Sequence, residues 1–162
     1  LRMIKAGSVT VGKFPFPPQS NNQYTPLVIG GKARVVPSRE LKQFKRNMAD
    51  WHLAHQQQAR EARMFCLEIL ARRNHVRLDT YVAMPRDRIF YKNGNLIKSD
   101  LFNRLKALHD SFCEIIKVDD SQIFSGYTER IVTTLEDPYC FLVLSEHRLR
   151  SVGEVTKGSI PK

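Results

Sequence analysis

The sequence predicts an α+β domain in which a mixed β-sheet is packed by α-helices. Stretches that alternate apolar and polar residues, or are rich in β-branched ones, recur at 8–14, 75–84, 122–133 and 139–145. Between them, at 39–72 and 101–117, apolar residues return at helical spacing. The order is strand, hairpin, helices, strand, hairpin, helix, two strands, which fits a mixed sheet with helices against it. The 162 residues suit one domain able to bury about 70% of the surface an unfolded chain exposes. Its expected bounds are 1–146, with 147–162 a polar, basic C-terminal tail.

Each element has a local reason. Ser8 to Phe14 alternates as a strand and stops at Pro15. Phe14 to Tyr24 holds Pro15, Pro17, Pro18, Asn21 and Asn22, which exclude regular helix or central strand and predict a rigid extended loop. Leu27 to Val36 reads as a hairpin about Gly30-Gly31. Ser38 is placed to cap a helix from Arg39, whose Leu41, Phe44, Met48 and Trp51 share one face. Ala62 to Arg72 continues the helical pattern as part of the same helix or as a second one, ended by Asn74. His75 to Met84 is a strand closed by Pro85. Phe90 to Ile97 reads as a second hairpin with Asn93-Gly94 as its turn. Asp100 is placed to cap a helix over Leu101 to Lys117. Gln122 to Thr133 and Tyr139 to Ser145 read as an antiparallel pair joined through Leu135 to Pro138.

Composition narrows function. Lysine and arginine number 26 against 16 acids, a formal charge of +10, and the commonest partner of so basic a soluble chain is nucleic acid. No apolar run approaches the roughly 20 residues of a membrane span, and no signal-peptide core opens the chain, so a cytoplasmic protein without a membrane partner is expected. Cys66, Cys113 and Cys140 are odd in number and lack C-x-x-C spacing, which predicts buried thiols and neither a disulfide framework nor a zinc ribbon. There is no Gly-rich phosphate loop, Walker-type lysine or nucleophile elbow, so no small-molecule cofactor is expected.

The chemistry concentrates in residues 99–122. On a helical wheel Leu101, Leu105, Leu108, Phe112, Ile115 and Ile116 form the core stripe. Asn103, Lys106 and Asp110 share a polar face bordered by Asp100, with Phe102 at its margin. A strand returning past this helix can bring Asp119 and Asp120 towards the same face. Phosphodiester hydrolysis needs a hard cation to neutralise phosphate and activate water, and magnesium binds through a few carboxylates while keeping several waters. Lys106 could steady the phosphate and Asn103 could hydrogen-bond it. Arg86, Arg88, Lys92, Lys98 and Arg104 add phosphate-attracting charge around the acids. The bland alternative is a plain helix cap at Asp100 and a turn at Asp119-Asp120.

Two blocks resemble the RusA family of Holliday-junction resolvases. Phe14-Pro-Phe-Pro-Pro-Gln-Ser-Asn-Asn-Gln-Tyr24 is similar to the family's N-terminal strand and Pro-Pro-Ser-Asn-Asn loop. Asp100-Leu-Phe-Asn-Arg-Leu-Lys-Ala-Leu-His-Asp110, followed by Val118-Asp-Asp-Ser-Gln122, resembles its D-L-D-N-x-x-K helix and D-D-x-Q strand start. The resemblance spans roughly residues 8 to 145. It implies a homodimeric endodeoxyribonuclease that uses magnesium, or manganese in its place, to resolve four-way junctions or other branched DNA by paired nicks. Carried over, Asp100 and Asp120 hold the metal, Lys106 is the catalytic lysine and Asn103 stands beside them. Asp110 and Asp119 match positions where the family often has aspartate. Phe102 departs from the pattern, because it occupies the place of the family's second aspartate. A weak or inactive branched-DNA-binding protein is therefore the alternative, and an RNA-binding or assembly protein with structural acids the third. The resemblance also implies a phage or prophage origin.

Other residues have competing readings. His52 and His55, one turn apart, lack a nearby third zinc ligand and read as packing or solvated histidines. His109 reads as a surface histidine, with proton shuttling as its sharper alternative. Asp79 beside Arg77 reads as a paired surface acid, and Phe44 and Trp51 as core. Asn21 and Asn22 read first as turn formers and second as DNA contacts, while Tyr24 is either locally packed or free to stack on a splayed base.

Overall fold

The structure, a computed structural model, describes residues 7–19, 23–97 and 101–147. Its strands form a mixed five-stranded sheet and a separate two-stranded hairpin. At the centre of the sheet lies β4 (His75–Pro85). β7 (Tyr139–His147) runs antiparallel along one edge of β4, from His75↔His147 to Ala83↔Tyr139. β1 (Ser8–Pro15) pairs antiparallel with the far edge of β7. The other edge of β4 takes β5 (Ile123–Ser125) and then β6 (Thr128–Thr133), both parallel to it. This is the expected α+β architecture.

Alternation decides which face is covered. Val76, Leu78, Thr80 and Val82 of β4 are buried on one face, level with Cys140, Leu142 and Leu144 of β7 and with Val11 of β1. The helices pack here. α1 (Arg39–Ala54) buries Leu41, Phe44, Met48 and Trp51, the stripe its sequence spacing predicts, and Ser38 Oγ accepts from the Leu41 N–H at 3.0 Å as the cap. α2 (Gln56–Ala71) is a separate helix and buries Ala59, Ala62, Cys66 and Ile69. α4 (Leu101–Ile116) buries Leu105, Leu108, Phe112 and Ile116. Phe14 ties β1 to two helices, its ring 4.3 Å from that of Trp51 and 5.5 Å from that of Phe112. The three cysteines are free thiols in the interior. Among the described residues, no helix is long and apolar enough to cross a membrane.

The hairpin about Gly30-Gly31 forms as β2 (Tyr24–Ile29) and β3 (Lys32–Pro37). Two other expectations change. The segment 122–133 does not pair with 139–145, because the apolar strand β4 lies between β6 and β7 and satisfies an edge of each. Nor is that segment continuous. It is broken at Gly126, where a Cβ would stand 2.5 Å from the Leu78 carbonyl oxygen. The second predicted hairpin is reduced to a single bridge, Phe90↔Leu96, because Arg86 to Ile89 first close into the short helix α3 (Arg86–Ile89). The tail beyond His147 lies outside the described residues.

Candidate active site

α4 builds one wall of the site. Its buried stripe fixes the rotation of the helix, so Lys106 and Asp110, four residues apart, project together from the exposed side. The helix stops at Lys117, which takes φ +57°, a left-handed cap that reverses the chain. Val118 then buries and the Val118 N–H donates to the Cys113 carbonyl at 3.2 Å. This anchor turns Asp119 and Asp120 back towards α4. A 3₁₀ turn over Asp120–Gln122 follows, with Asp119 as its cap: the Ser121 N–H donates to Asp119 Oδ1 at 2.8 Å. Those hydrogen bonds from Ser121 hold the Asp119 carboxyl below its usual range.

The result is a cavity of about 370 Å³ lined by Lys106, Asp110 and Asp120, with His109, Cys113 and Thr128 beside them. Leu78, Leu105 and Ile123 supply apolar lining. Asp110 and Asp120 also border a neighbouring hollow of about 430 Å³ that contains Asp119, Glu114 and Lys117. The thiol of Cys113 senses the combined charge. Burial raises its pKa to about 11, and the charges of Asp120, Asp110 and Asp119 push it the same way. Burial, reinforced by the charges of these three carboxylates, thus suppresses a thiolate nucleophile at Cys113.

His109 is not the surface histidine its sequence context suggested. It is half-buried, and its Nε2 lies 2.8 Å from Oγ1 of the buried Thr80. Burial lowers its pKa, with the Asp110 charge acting the other way. A residue midway between the core stripe and the polar face of α4 was the available signal, together with a threonine on the inward face of β4. Lys45 and Lys117, at the rims of the adjoining hollows, were also passed over in the sequence.

Arg104 departs from its expected role as a DNA contact. It is buried, its Nη1 donates to the Pro17 carbonyl at 3.2 Å, and its guanidinium lies 4.7 Å over the Phe16 ring. Desolvation lowers its pKa. The side chain braces the proline-rich loop against α4. Arg86, Arg88 and Lys92 are exposed as expected, although Arg86 also lies 5.3 Å over the Phe90 ring. Tyr24 is exposed and shares with Lys106 and Asp110 a groove of about 100 Å³. Asn21, Asn22, Lys98 and Asp100 lie outside the described residues, as do the side chains of Phe102 and Asn103. The remaining candidates take their bland readings. Asp79 is ion-paired with Arg77 at 2.8 Å. His55 stacks on Trp51, with centroids 4.9 Å apart, and its Nδ1 is 2.8 Å from the Trp51 carbonyl oxygen. Phe44 and Trp51 are core.

The basic α+β domain thus gathers two carboxylates and an amine in one cavity. The family model described as Endodeoxyribonuclease RusA matches residues 15–136, and the chain belongs to that family. No curated protein matches the chain. Among solved structures, it is similar to 2C-methyl-D-erythritol 2,4-cyclodiphosphate synthase from Plasmodium vivax, at 10% identity over 88% of this chain and 97% of that one, with a TM-score of 0.31. So low a score carries no argument about fold or activity.

Proposed function

We propose that this chain is a divalent-metal-dependent endodeoxyribonuclease that resolves Holliday junctions or other branched DNA by paired nicks, acting as a homodimer. Membership of the endodeoxyribonuclease family supports the reaction class. The observation that carries the site is the convergence of Lys106, Asp110 and Asp120 on one cavity.

The donor set fits a hard cation. Asp110 and Asp120 are exposed carboxylates facing shared space, and the Cys113 thiol beside them is kept protonated by burial, with their charges adding to the effect. Among the described residues, no cluster of three or more histidines, cysteines and acids is assembled to hold a metal. Magnesium binds through one or two carboxylates and keeps water for the rest. Asp120 and Asp110 would hold it, with Asp100 and Asp119 as the further acids of the set. When bound, the cation supplies charge neutralisation and a more acidic water. Lys106 contributes a mobile ammonium that can pair with a phosphate oxygen as negative charge develops there. Asn103 would hydrogen-bond the same phosphate, and Arg86, Arg88, Lys92 and Lys98 would draw the DNA arms, with Asn21, Asn22 and Tyr24 as further DNA contacts.

A synthetic four-way junction incubated with magnesium or manganese is expected to be cut symmetrically. Asp120→Asn should abolish cutting, and Lys106→Ala should slow it by about 100-fold or more, the scale of losing an electrostatic donor. Intact junctions under every divalent metal tried would overturn the nuclease reading. Phe102 supports a second reading, tight junction binding with weak or no cleavage, because an aromatic ring cannot ligate magnesium. A gain of cutting in Phe102→Asp from an inert parent would establish it.

A further inference from the structure

The β2–β3 hairpin exposes Tyr24, Leu27, Val28, Ile29 and Val35, and its two faces differ in charge. In an antiparallel pair, directly opposed residues point to the same face. The register therefore places Tyr24 and Pro37, Pro26 and Val35, and Val28 and Ala33 on one face, which carries no charge. Thr25 and Val36, Leu27 and Arg34, and Ile29 and Lys32 share the other. Tyr24 is 55% exposed, Val28 75% and Val35 70%. A lone two-stranded hairpin is marginal in water unless its apolar face is covered. The base of this one is anchored, since the Ser38 N–H donates to the Gln23 carbonyl at 2.9 Å and Gln23 Nε2 donates to the Pro18 carbonyl at 3.3 Å.

Charge and position narrow what covers it. From Tyr24 to Pro37 the only ionic residues are Lys32 and Arg34. Two hairpins stacked through the uncharged face would cover its apolar residues but leave Lys32 and Arg34 on the outer faces, so such a pairing would use only one side of the hairpin. A polyanion with exposed apolar faces fits both sides of the hairpin, and unstacked nucleic-acid bases are such faces. An intact duplex offers only edges and phosphates, whereas a branch point exposes base faces. The hairpin also adjoins the cavity, because Tyr24 and Lys45 line the groove that contains Lys106 and Asp110.

We infer that the β2–β3 hairpin is a branch-point wedge: Tyr24, Pro26, Val28 and Val35 lie against bases unstacked at a DNA branch, while Lys32 and Arg34 hold the flanking phosphates. Apolar side chains wedged between bases are an established way for proteins to hold DNA open. The inference rests on the branched-DNA reading for the identity of the polymer and makes no use of cleavage.

The test uses the full chain in EDTA, a four-way junction with 2-aminopurine beside the branch, and a linear duplex of the same sequence. Wild type is expected to raise 2-aminopurine fluorescence on the junction. Val28→Ser/Val35→Ser should lose that rise and bind the junction about tenfold more weakly, the scale of a lost base contact. It should bind the duplex as before, with unchanged melting temperature and oligomeric mass. Lys32→Ser/Arg34→Ser should weaken binding to both DNAs yet keep the rise at saturation. If the valine variant unstacks and binds like wild type, the wedge is wrong. If it loses self-association together with junction binding, the face belongs to a second copy and the wedge is equally overturned. Should wild type unstack junctions but never cut them under any divalent metal, the nuclease reading fails alone. A wild type that shows no preference for the junction removes both.

Discussion

Burial in the cavity wall lowers the pKa of His109, and the neighbouring Asp110 charge only partly opposes it. The ring is therefore neutral in the folded protein at pH 7. An unfolded chain takes up a proton at this position near pH 6.5, and the folded chain does so only at lower pH. Stability contributed by the neutral ring is fully present above about 6.5 and is lost as pH falls through the folded pKa. His109→Gln keeps a hydrogen-bonding group against Thr80 and removes the titration. Its unfolding free energy, measured by urea denaturation in EDTA, should fall less steeply than wild type between about pH 6.5 and 5. Equal slopes would show that the ring is not shielded. Cys113 behaves oppositely: with its pKa raised to about 11 it stays a thiol across this range, so native-state alkylation should be slow until the chain unfolds.

At the scale of elements, the break between β5 and β6 sets where the cavity lies along the sheet. Gly126 makes that break because its α-carbon packs against the Leu78 carbonyl, and Leu78 lines the cavity with Ile123 and Thr128. A methyl group there would stand 2.5 Å from that backbone oxygen, which cannot rotate away. Gly126→Ala is expected to cost about 1–3 kcal/mol, as overpacking does, and to reduce junction cleavage together with stability. An unchanged melting temperature would mean that the strand edge yields freely. The helices were legible in the sequence because burial on one face repeats along them: Leu41, Phe44, Met48 and Trp51 predict α1, and Leu105, Leu108, Phe112 and Ile116 predict α4 together with the exposure of Lys106 and Asp110. Strand partners were not legible. Alternation in 122–133 and 139–145 says which side chains face inward, but both segments find β4 more favourable than each other, and nothing local encodes that choice. Arg104 misled for a related reason. A cation next to acids in sequence reads as surface charge, yet its place between Leu101 and Leu108 turns it inward onto Phe16 and Pro17.

Across the whole molecule the formal charge of +10 implies that DNA affinity depends steeply on salt, but total charge does not say which cations make contact. Exposure does. Arg88 and Lys92 are exposed residues between β4 and α4, whereas Arg104 is buried beneath the proline-rich loop. Each phosphate contact contributes about 0.9 to the slope of log affinity against log salt. Arg88→Ala and Lys92→Ala should therefore each flatten the slope for junction binding by about one and leave the melting temperature unchanged. Arg104→Met should do the reverse. It removes a guanidinium that makes no phosphate contact, so the slope stays at the wild-type value. It also releases Phe16 and Pro17 from α4, so stability should fall by about 1–3 kcal/mol, as when a buried hydrogen-bonded charge is lost. Titrations at several salt concentrations, run beside thermal melts, read both quantities on the same samples. A flattened slope in Arg104→Met at wild-type stability would mean that the loop opens to let this arginine reach DNA. Unaltered slopes in both Arg88→Ala and Lys92→Ala would move the DNA path away from α3 and towards the β2–β3 hairpin and α1, where Lys32, Arg34, Lys42 and Lys45 are among the exposed cations.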